Sequence, residues 1–318
     1  MLSRLFKLTA LFCTLCTLVM SPGALATTIF ASGFDGKIHE YDANGNELNA
    51  YHIGFTAGSM GYDANTDKLY FGWYSGGSNN YGVWSMNGDG TGLSRIYSAT
   101  SRNRSLAVDY INGYLFTDFD GSEGLVRMNL DGTGAVQIDN SFIQYSIGAM
   151  VTDHRTQTLF VGDFGDGQTI KTMDYSGGSQ TSLVGGLDGN LHQMAIDFTA
   201  DKLYTVSNSA GPIYRSNLDG SALEIVANSF SNPLGIALDT DNGYMFIGES
   251  SGGVERINLD GTGRVQITNQ GVFGLAARTG VAVPEPWTLG LLLLGLAGLH
   301  RRAIIHRSWT TSNQRGVA

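Results

Sequence analysis

Of 318 residues 44 are Gly, roughly twice the usual share, and 15% are charged, well under the usual quarter. Hydrophobic residues at 42% and aromatics at 10% exclude a disordered chain, and Gly without an every-third-residue rule excludes collagen. The profile implies a β-rich fold with many tight turns, because Gly supplies the positive φ angles that hairpins need.

The first element reads as an address. Arg4 and Lys7 precede an apolar run from Leu8 to Met20, Pro22-Gly23 breaks it, and Ala24-Leu25-Ala26 has the form of a cleavage site. Residues 1–26 are therefore expected to be a secretory signal peptide, cut by signal peptidase after Ala26. Its removal takes away Cys13 and Cys16, so the mature chain has no thiol and must rest on its core.

The body that follows, residues 27–280, repeats itself. Five segments pair an apolar strand ending in Asp with an apolar-aromatic pair six residues later: Asp63 with Leu69-Tyr70, Asp109 with Leu115-Phe116, Asp153 with Leu159-Phe160, Asp197 with Leu203-Tyr204, and Asp239 with Met245-Phe246. The Asp-to-Asp steps are 46, 44, 44 and 42. A second landmark follows each Asp, a turn such as Leu130-Asp131-Gly132 or Leu259-Asp260-Gly261, and Asp-Gly between alternating apolar and polar runs signals a hairpin. Four short strands in about 44 residues make one propeller blade.

Residues 28–53 hold three strands and lack the first. Leu275-Ala276-Ala277-Arg278 aligns with Ile236-Ala237-Leu238-Asp239, so the last strand is expected to complete the N-terminal blade and close a ring of six. Two positions before each Asp stand Gly61, Ala107, Val151, Ala195 and Ala237, with Ala276 in the closing strand, small enough for inner strands to converge on an axis.

Asn232-Pro233-Leu234-Gly235-Ile236-Ala237-Leu238-Asp239 and Glu255-Arg256-Ile257-Asn258-Leu259-Asp260-Gly261-Thr262-Gly263 resemble the YWTD repeat of low-density-lipoprotein-receptor-type six-bladed β-propellers. The resemblance spans roughly residues 28–278 and implies an all-β ring. The four-residue signature itself is replaced, for example by Phe160-Val161-Gly162-Asp163 and Phe246-Ile247-Gly248-Glu249, and the copy at Phe116-Thr117-Asp118 is one residue short.

The C-terminal end forms a second address over residues 281–302. Val283-Pro284-Glu285-Pro286, an apolar run from Trp287 to Leu299, then Arg301-Arg302 resemble the PEP-CTERM sorting signal of Gram-negative bacteria. That resemblance implies export, transient inner-membrane anchoring through a short apolar helix, and cleavage by an exosortase. Such signals stop after the arginines, whereas here a polar and basic tail, residues 303–318, continues. Between the two addresses, residues 27–282 carry 13 Lys+Arg against 27 Asp+Glu, a net charge of −14. A body this acidic repels phosphate backbones, so no nucleic-acid partner is expected.

Candidate site residues are sparse. The repeated strand-end Asp residues read as Asx-turn formers that bond their own backbone, rather than as a ring of metal ligands. Asp118, Asp120 and Glu123 in one short loop, and Asp163 and Asp166 in another, gather oxygens that could hold a divalent cation such as calcium. Neither loop has full calcium-loop spacing, and solvated hairpin loops are the plainer account. Trp73, Tyr74, Tyr81 and Trp84 surround an enlarged loop and could stack on a sugar, or simply pack between blades. No Gly-x-Ser-x-Gly falls on a strand-to-helix turn, and no His-Glu-x-x-His motif occurs.

The expected function is thus a non-catalytic binding module for an envelope protein or exopolysaccharide, exported to the cell surface, outer envelope or extracellular matrix. A metal-dependent, lactonase-like propeller hydrolase or lyase and a structural matrix spacer are the alternatives. The first would need Asp, Glu, Asn or His at several axis-facing positions, where the inner strands carry mostly Gly, Ala, Val and Met.

Overall fold

A computed structural model describes residues 25–77, 80–120, 123–139, 147–163, 168–208 and 211–282. The signal-peptide run with Ala24, the sorting signal at Val283, Pro284, Glu285, Pro286, Arg301 and Arg302, and Asp166 lie outside these residues, as do the side chains of Ala26 and Asp163. Thr27–Thr279 form one compact unit. Among the described residues there is no α-helix, and no helix long and apolar enough to cross a membrane.

Among the described residues, twenty-four strands make six four-stranded antiparallel sheets arranged as a six-bladed β-propeller. Blade I comprises β1 (Leu25–Gly33), β2 (Lys37–Asp42) and β3 (Glu47–His52). Blade II is β4 (Thr56–Asp63), β5 (Lys68–Ser75), β6 (Gly82–Asn87) and β7 (Ser94–Ser98). Blade III is β8 (Leu106–Asp109), β9 (Tyr114–Phe119), β10 (Gly124–Asn129) and β11 (Val136–Asp139). Blade IV is β12 (Ile147–Asp153), β13 (Thr158–Asp163), β14 (Ile170–Asp174) and β15 (Thr181–Val184). Blade V is β16 (Leu191–Asp197), β17 (Lys202–Ser207), β18 (Ile213–Asn217) and β19 (Glu224–Ala227). Blade VI is β20 (Pro233–Asp239), β21 (Tyr244–Glu249), β22 (Gly253–Asn258) and β23 (Val265–Thr268). The last strand, β24 (Val272–Ala282), takes the inner place in blade I, whose order is β24-β1-β2-β3. The ring therefore closes as the sequence predicts.

The apolar-aromatic pairs explain the packing. Successive side chains of a strand point to opposite sheet faces, so the first of each pair meets the preceding blade and the second meets the following one. Leu115 packs with Tyr70 and Val83 between blades II and III, while Phe116 packs with Met150 and Leu159 between blades III and IV. Leu203 and Tyr204 divide in the same way. Six such clusters fill the six interblade spaces. Second strands are accordingly buried almost throughout, whereas the outer strands β3, β7 and β19 are largely open to solvent.

The Asp-Gly turns have a second role. Gly132 sits at φ +83°, and a Cβ there would overlap the Ile96 carbonyl oxygen on the outer strand of blade II. Gly261 at φ +84° stands in the same way against Val226 of blade V. Each turn thus presses on the rim of the blade before it, which only glycine permits.

Three arginines stitch neighbouring blades at one repeated position of the third strand. Arg127 donates to Tyr175 O, Arg215 to Leu259 O and Arg256 to Ala43 O, each at 2.9 Å. Their guanidinium groups lie over the rings of Tyr114, Tyr204 and Tyr244.

Candidate functional site

Inner strands end in Asp on one face of the ring, where the hairpin turns also lie; β1 starts and β24 ends there too. On this hairpin face a funnel of about 340 Å³ opens on the axis, lined by inner strands of every blade. Five of the six small residues predicted for the axis are among its walls, Gly61, Val151, Ala195, Ala237 and Ala276, whereas Ala107 belongs to the core between blades III and IV. Its mouth is formed by Tyr110, Ile111, His154, Phe198, Thr240 and Thr279. Ile111 is 56% exposed and Phe198 38%, while His154 meets Phe198 edge-on at 4.6 Å.

Gln193 crosses the interior of the funnel. Its Nε2 donates to Leu275 O at 2.8 Å, and its Oε1 accepts from Leu275 N and Ile236 N, both at 3.2 Å. A longer bond runs from Nε2 to Met60 O at 3.4 Å. One carboxamide from β16 thereby ties β20, β24 and β4, inner strands of three other blades.

The strand-end carboxylates stand around the funnel but turn into their own loops. Asp63 accepts Asn65 N at 2.8 Å and Asp197 accepts Thr199 N at 2.8 Å. Asp109 accepts Asn112 N at 2.9 Å and also the Tyr175 hydroxyl at 2.6 Å; Asp239 accepts Asn242 N at 3.2 Å. Burial alone would raise Asp153, but the side-chain and backbone hydrogen bonds from Arg155 outweigh it and hold that carboxyl below its ordinary value. These are Asx turns, built from residues that are all buried.

Blade I puts Arg278 where the other blades have Asp. Its guanidinium reaches Glu40 Oε1 and Asp67 Oδ1, both at 2.9 Å, receives a place beside the Tyr62 hydroxyl at 3.2 Å, and lies 4.8 Å from the Phe30 ring centre. Sequence alignment located the position, yet its ion pairs needed the tertiary structure.

The opposite, loop face carries the remaining candidates. Asp118 is buried and spends both oxygens on main-chain groups, Ser105 N at 3.2 Å and Ile147 N at 3.1 Å, so it joins blade III to blade IV. Burial pushes its carboxyl up to about 7. Asp120 pairs with Arg102, and Glu123 accepts Thr100 N at 3.0 Å. The three carboxylates thus hold different partners, and among the described residues no group of three or more His, Cys, Asp or Glu is placed to share a metal ion. The residues described offer calcium no assembled shell.

The aromatic cluster divides. Trp73, only 6% exposed, belongs to the core between blades I and II and meets Tyr81 edge-on at 4.5 Å. Trp84 packs against Phe55 and donates its indole N–H to Asn80 O at 2.9 Å. Tyr74 lies against Phe273 of the closing strand, with ring centres 4.1 Å apart. Tyr74, Tyr81 and Trp84 keep partial exposure; Trp73 does not. Near Tyr74 and Phe273, His192 is buried beside Asn208, and burial drives its imidazole down to about 4.

Comparison with known proteins places the fold. Neither the known family profiles nor the curated proteins include a match to this chain. Among solved structures, a chain of a nidogen/laminin complex is 14% identical at a TM-score of 0.69, covering 81% of this chain and 98% of that one. TolB from Acinetobacter baumannii is 11% identical at 0.61, covering 81% and 67%. A protein of unknown function from Bacteroides thetaiotaomicron is 14% identical at 0.57, covering 69% and 63%. At these identities the likeness is one of fold alone.

Proposed function

We propose that this protein is an exported propeller of the YWTD type that binds an envelope protein or exopolysaccharide through the funnel on its hairpin face, without transforming it. The observation that carries this reading is the funnel itself: an apolar and aromatic mouth around walls of small residues, with the surrounding carboxylates drawn into their own turns. A concave, largely preformed site with a few polar groups is suited to holding a ligand. The fold neighbour solved as a nidogen/laminin complex is consistent with a binding role. Export through residues 1–26, then retention and exosortase processing through residues 281–302, remains part of the same proposal. Mass spectrometry of the released species tests the two cleavage positions.

The mature protein, labelled and screened against purified exopolysaccharide and surface proteins of its source organism, is expected to retain one of them unchanged. The double variant Ile111→Asp/Phe198→Asp is expected to lose that binding while remaining folded. Binding that ignores the double variant, or ligand recovered as a hydrolysed product, overturns the reading.

A further inference from the structure

We propose that His39 is a proton-operated switch for the turn at Phe34 and Asp35, between β1 and β2 on the loop face of blade I. With both ring nitrogens protonated it holds the Asp35 carboxylate; with one proton gone it keeps the Gln270 amide and releases the turn. The switch lies on the face opposite the funnel and does not depend on what the funnel binds.

The geometry of the ring carries the argument. His39 is buried, with Nδ1 2.7 Å from Glu47 Oε1 on β3. Its Nε2 faces two groups at once, Asp35 Oδ1 at 3.1 Å and the Gln270 amide nitrogen at 2.7 Å. The carboxylate needs a proton on Nε2, whereas the amide N–H needs a bare lone pair there. One nitrogen cannot serve both, so the charge of the ring selects the partner. Rotating the Gln270 amide would offer its oxygen to a protonated Nε2 but no donor to a neutral one, so either orientation ties Asp35 to the protonated ring. Glu47 keeps a proton on Nδ1 in both states and leaves Nε2 as the atom that gains or loses one.

The surroundings suit two states. Gly33 leaves room for Asp35 to fold back, since a Cβ there would stand 2.5 Å from Asp35 Oδ1 and 3.0 Å from His39 Nε2. Asp35 keeps 38% of its side-chain surface exposed and accepts Lys37 N at 3.3 Å, so it can leave the ring without becoming a buried, unpaired charge. Burial alone would raise Asp35, but the hydrogen bond and charge of His39, with Lys37 beside it, hold the carboxyl below its ordinary value. The charged groups around the ring are Asp35, Lys37 and Glu47; Tyr41 of β2 stacks on it at 6.0 Å, and blade VI turns Gln270 toward it. Gly36, at φ +79° and with its oxygen bonded by Ile53 and Gly54 N–H, is the fixed end of the turn. The exposed Phe34 ring meets Phe273 of the closing strand, with centres 6.5 Å apart. Release of Asp35 therefore lifts an aromatic cover from the start of β24.

The test is NMR of the mature protein carrying isotope-labelled histidine and phenylalanine, followed between about pH 5 and 8, where histidines change charge. The His39 signals are assigned by their loss in His39→Gln. At the acid end both His39 nitrogens are expected to carry protons, and at the other end Nδ1 alone. The Phe34 signals are expected to move with the same midpoint. In Asp35→Asn, whose amide can meet either form of the ring, His39 should still titrate while Phe34 no longer responds. Gln270→Met, which removes the donor to the neutral ring, is expected to move the whole transition to higher pH. Either variant suffices if the other does not fold. Phe34 signals that ignore the His39 titration or respond equally in Asp35→Asn, a transition unmoved in Gln270→Met, or a His39 ring that keeps one charge throughout would overturn the switch.

Discussion

The Gln193 carboxamide grips the main chain of Leu275 from both sides, accepting from its N–H at 3.2 Å and donating to its carbonyl at 2.8 Å. Gln193 belongs to blade V and Leu275 to the strand that closes blade I, so one side chain spans the axis and locks the closing strand in register. Gln193→Leu keeps the volume but leaves Leu275 and Ile236 main-chain groups without partners. Stability is expected to fall by about 2 kcal/mol, read as a drop in Tm of roughly 4–8 °C for a chain of this size. An unchanged Tm would show that water replaces the clasp.

Arg278 should matter as much at the outer end of the same strand. It is the cation between Glu40 and Asp67, and the Glu40 side chain is buried. Arg278→Met is expected to destabilise by about 3 kcal/mol in urea titration, because a buried carboxylate loses its charged partner. Adding Glu40→Gln should recover part of that loss, since the remaining Asn49 and Tyr51 contacts suit a neutral amide. Additive effects of the two changes would refute the pairing.

Two glycines separate backbone conformation from close approach. Gly186 has φ +73° with open space where a Cβ would go, whereas Gly132 at φ +83° faces the Ile96 carbonyl. Gly186→Ala is expected to cost about 1 kcal/mol, from the left-handed backbone alone. Gly132→Ala is expected to cost at least about twice as much, because the turn must also move off blade II. Equal costs in thermal unfolding would mean that the turns do not bear on the neighbouring blade.

Asp118 and His192 give opposite pH dependences. The folded Asp118 carboxyl titrates at about 7, above its ordinary 3.8, so its contribution is complete below pH 3.8 and is lost as pH rises to about 7. His192 titrates at about 4 instead of 6.5, so its contribution is complete above pH 6.5 and is lost as pH falls to about 4. Between pH 4 and 6.5 the two slopes oppose each other. His192→Gln should therefore unmask Asp118, giving a higher Tm at pH 5 than at pH 7.5 relative to the parent. Circular dichroism melts at the two pH values decide it, and an unaltered difference between them would contradict the burial of His192.

The sequence by itself determined the ring. Asp63, Asp109, Asp153, Asp197 and Asp239 mark inner strands because an Asx turn needs an Asp beside its own backbone, a local requirement that recurs wherever the blade recurs. The pairs from Leu69-Tyr70 to Met245-Phe246 mark second strands because each must fill both neighbouring interfaces, and the alignment of Leu275–Arg278 marked the closing strand. Tertiary structure decided what distant residues do when the ring brings them together. Gln193 sits 82 positions from Leu275, and Arg278 sits 238 from Glu40, so no local pattern announces either contact. The same reason explains the candidate sites. Asp118, Asp120 and Glu123 look like one carboxylate group along the chain, but neighbours from other strands and blades draw them to separate partners, and Trp73 becomes core because Tyr81 and blade I cover it. Repeated local chemistry is written in spacing; the charge and donor that complete each side chain arrive from another blade.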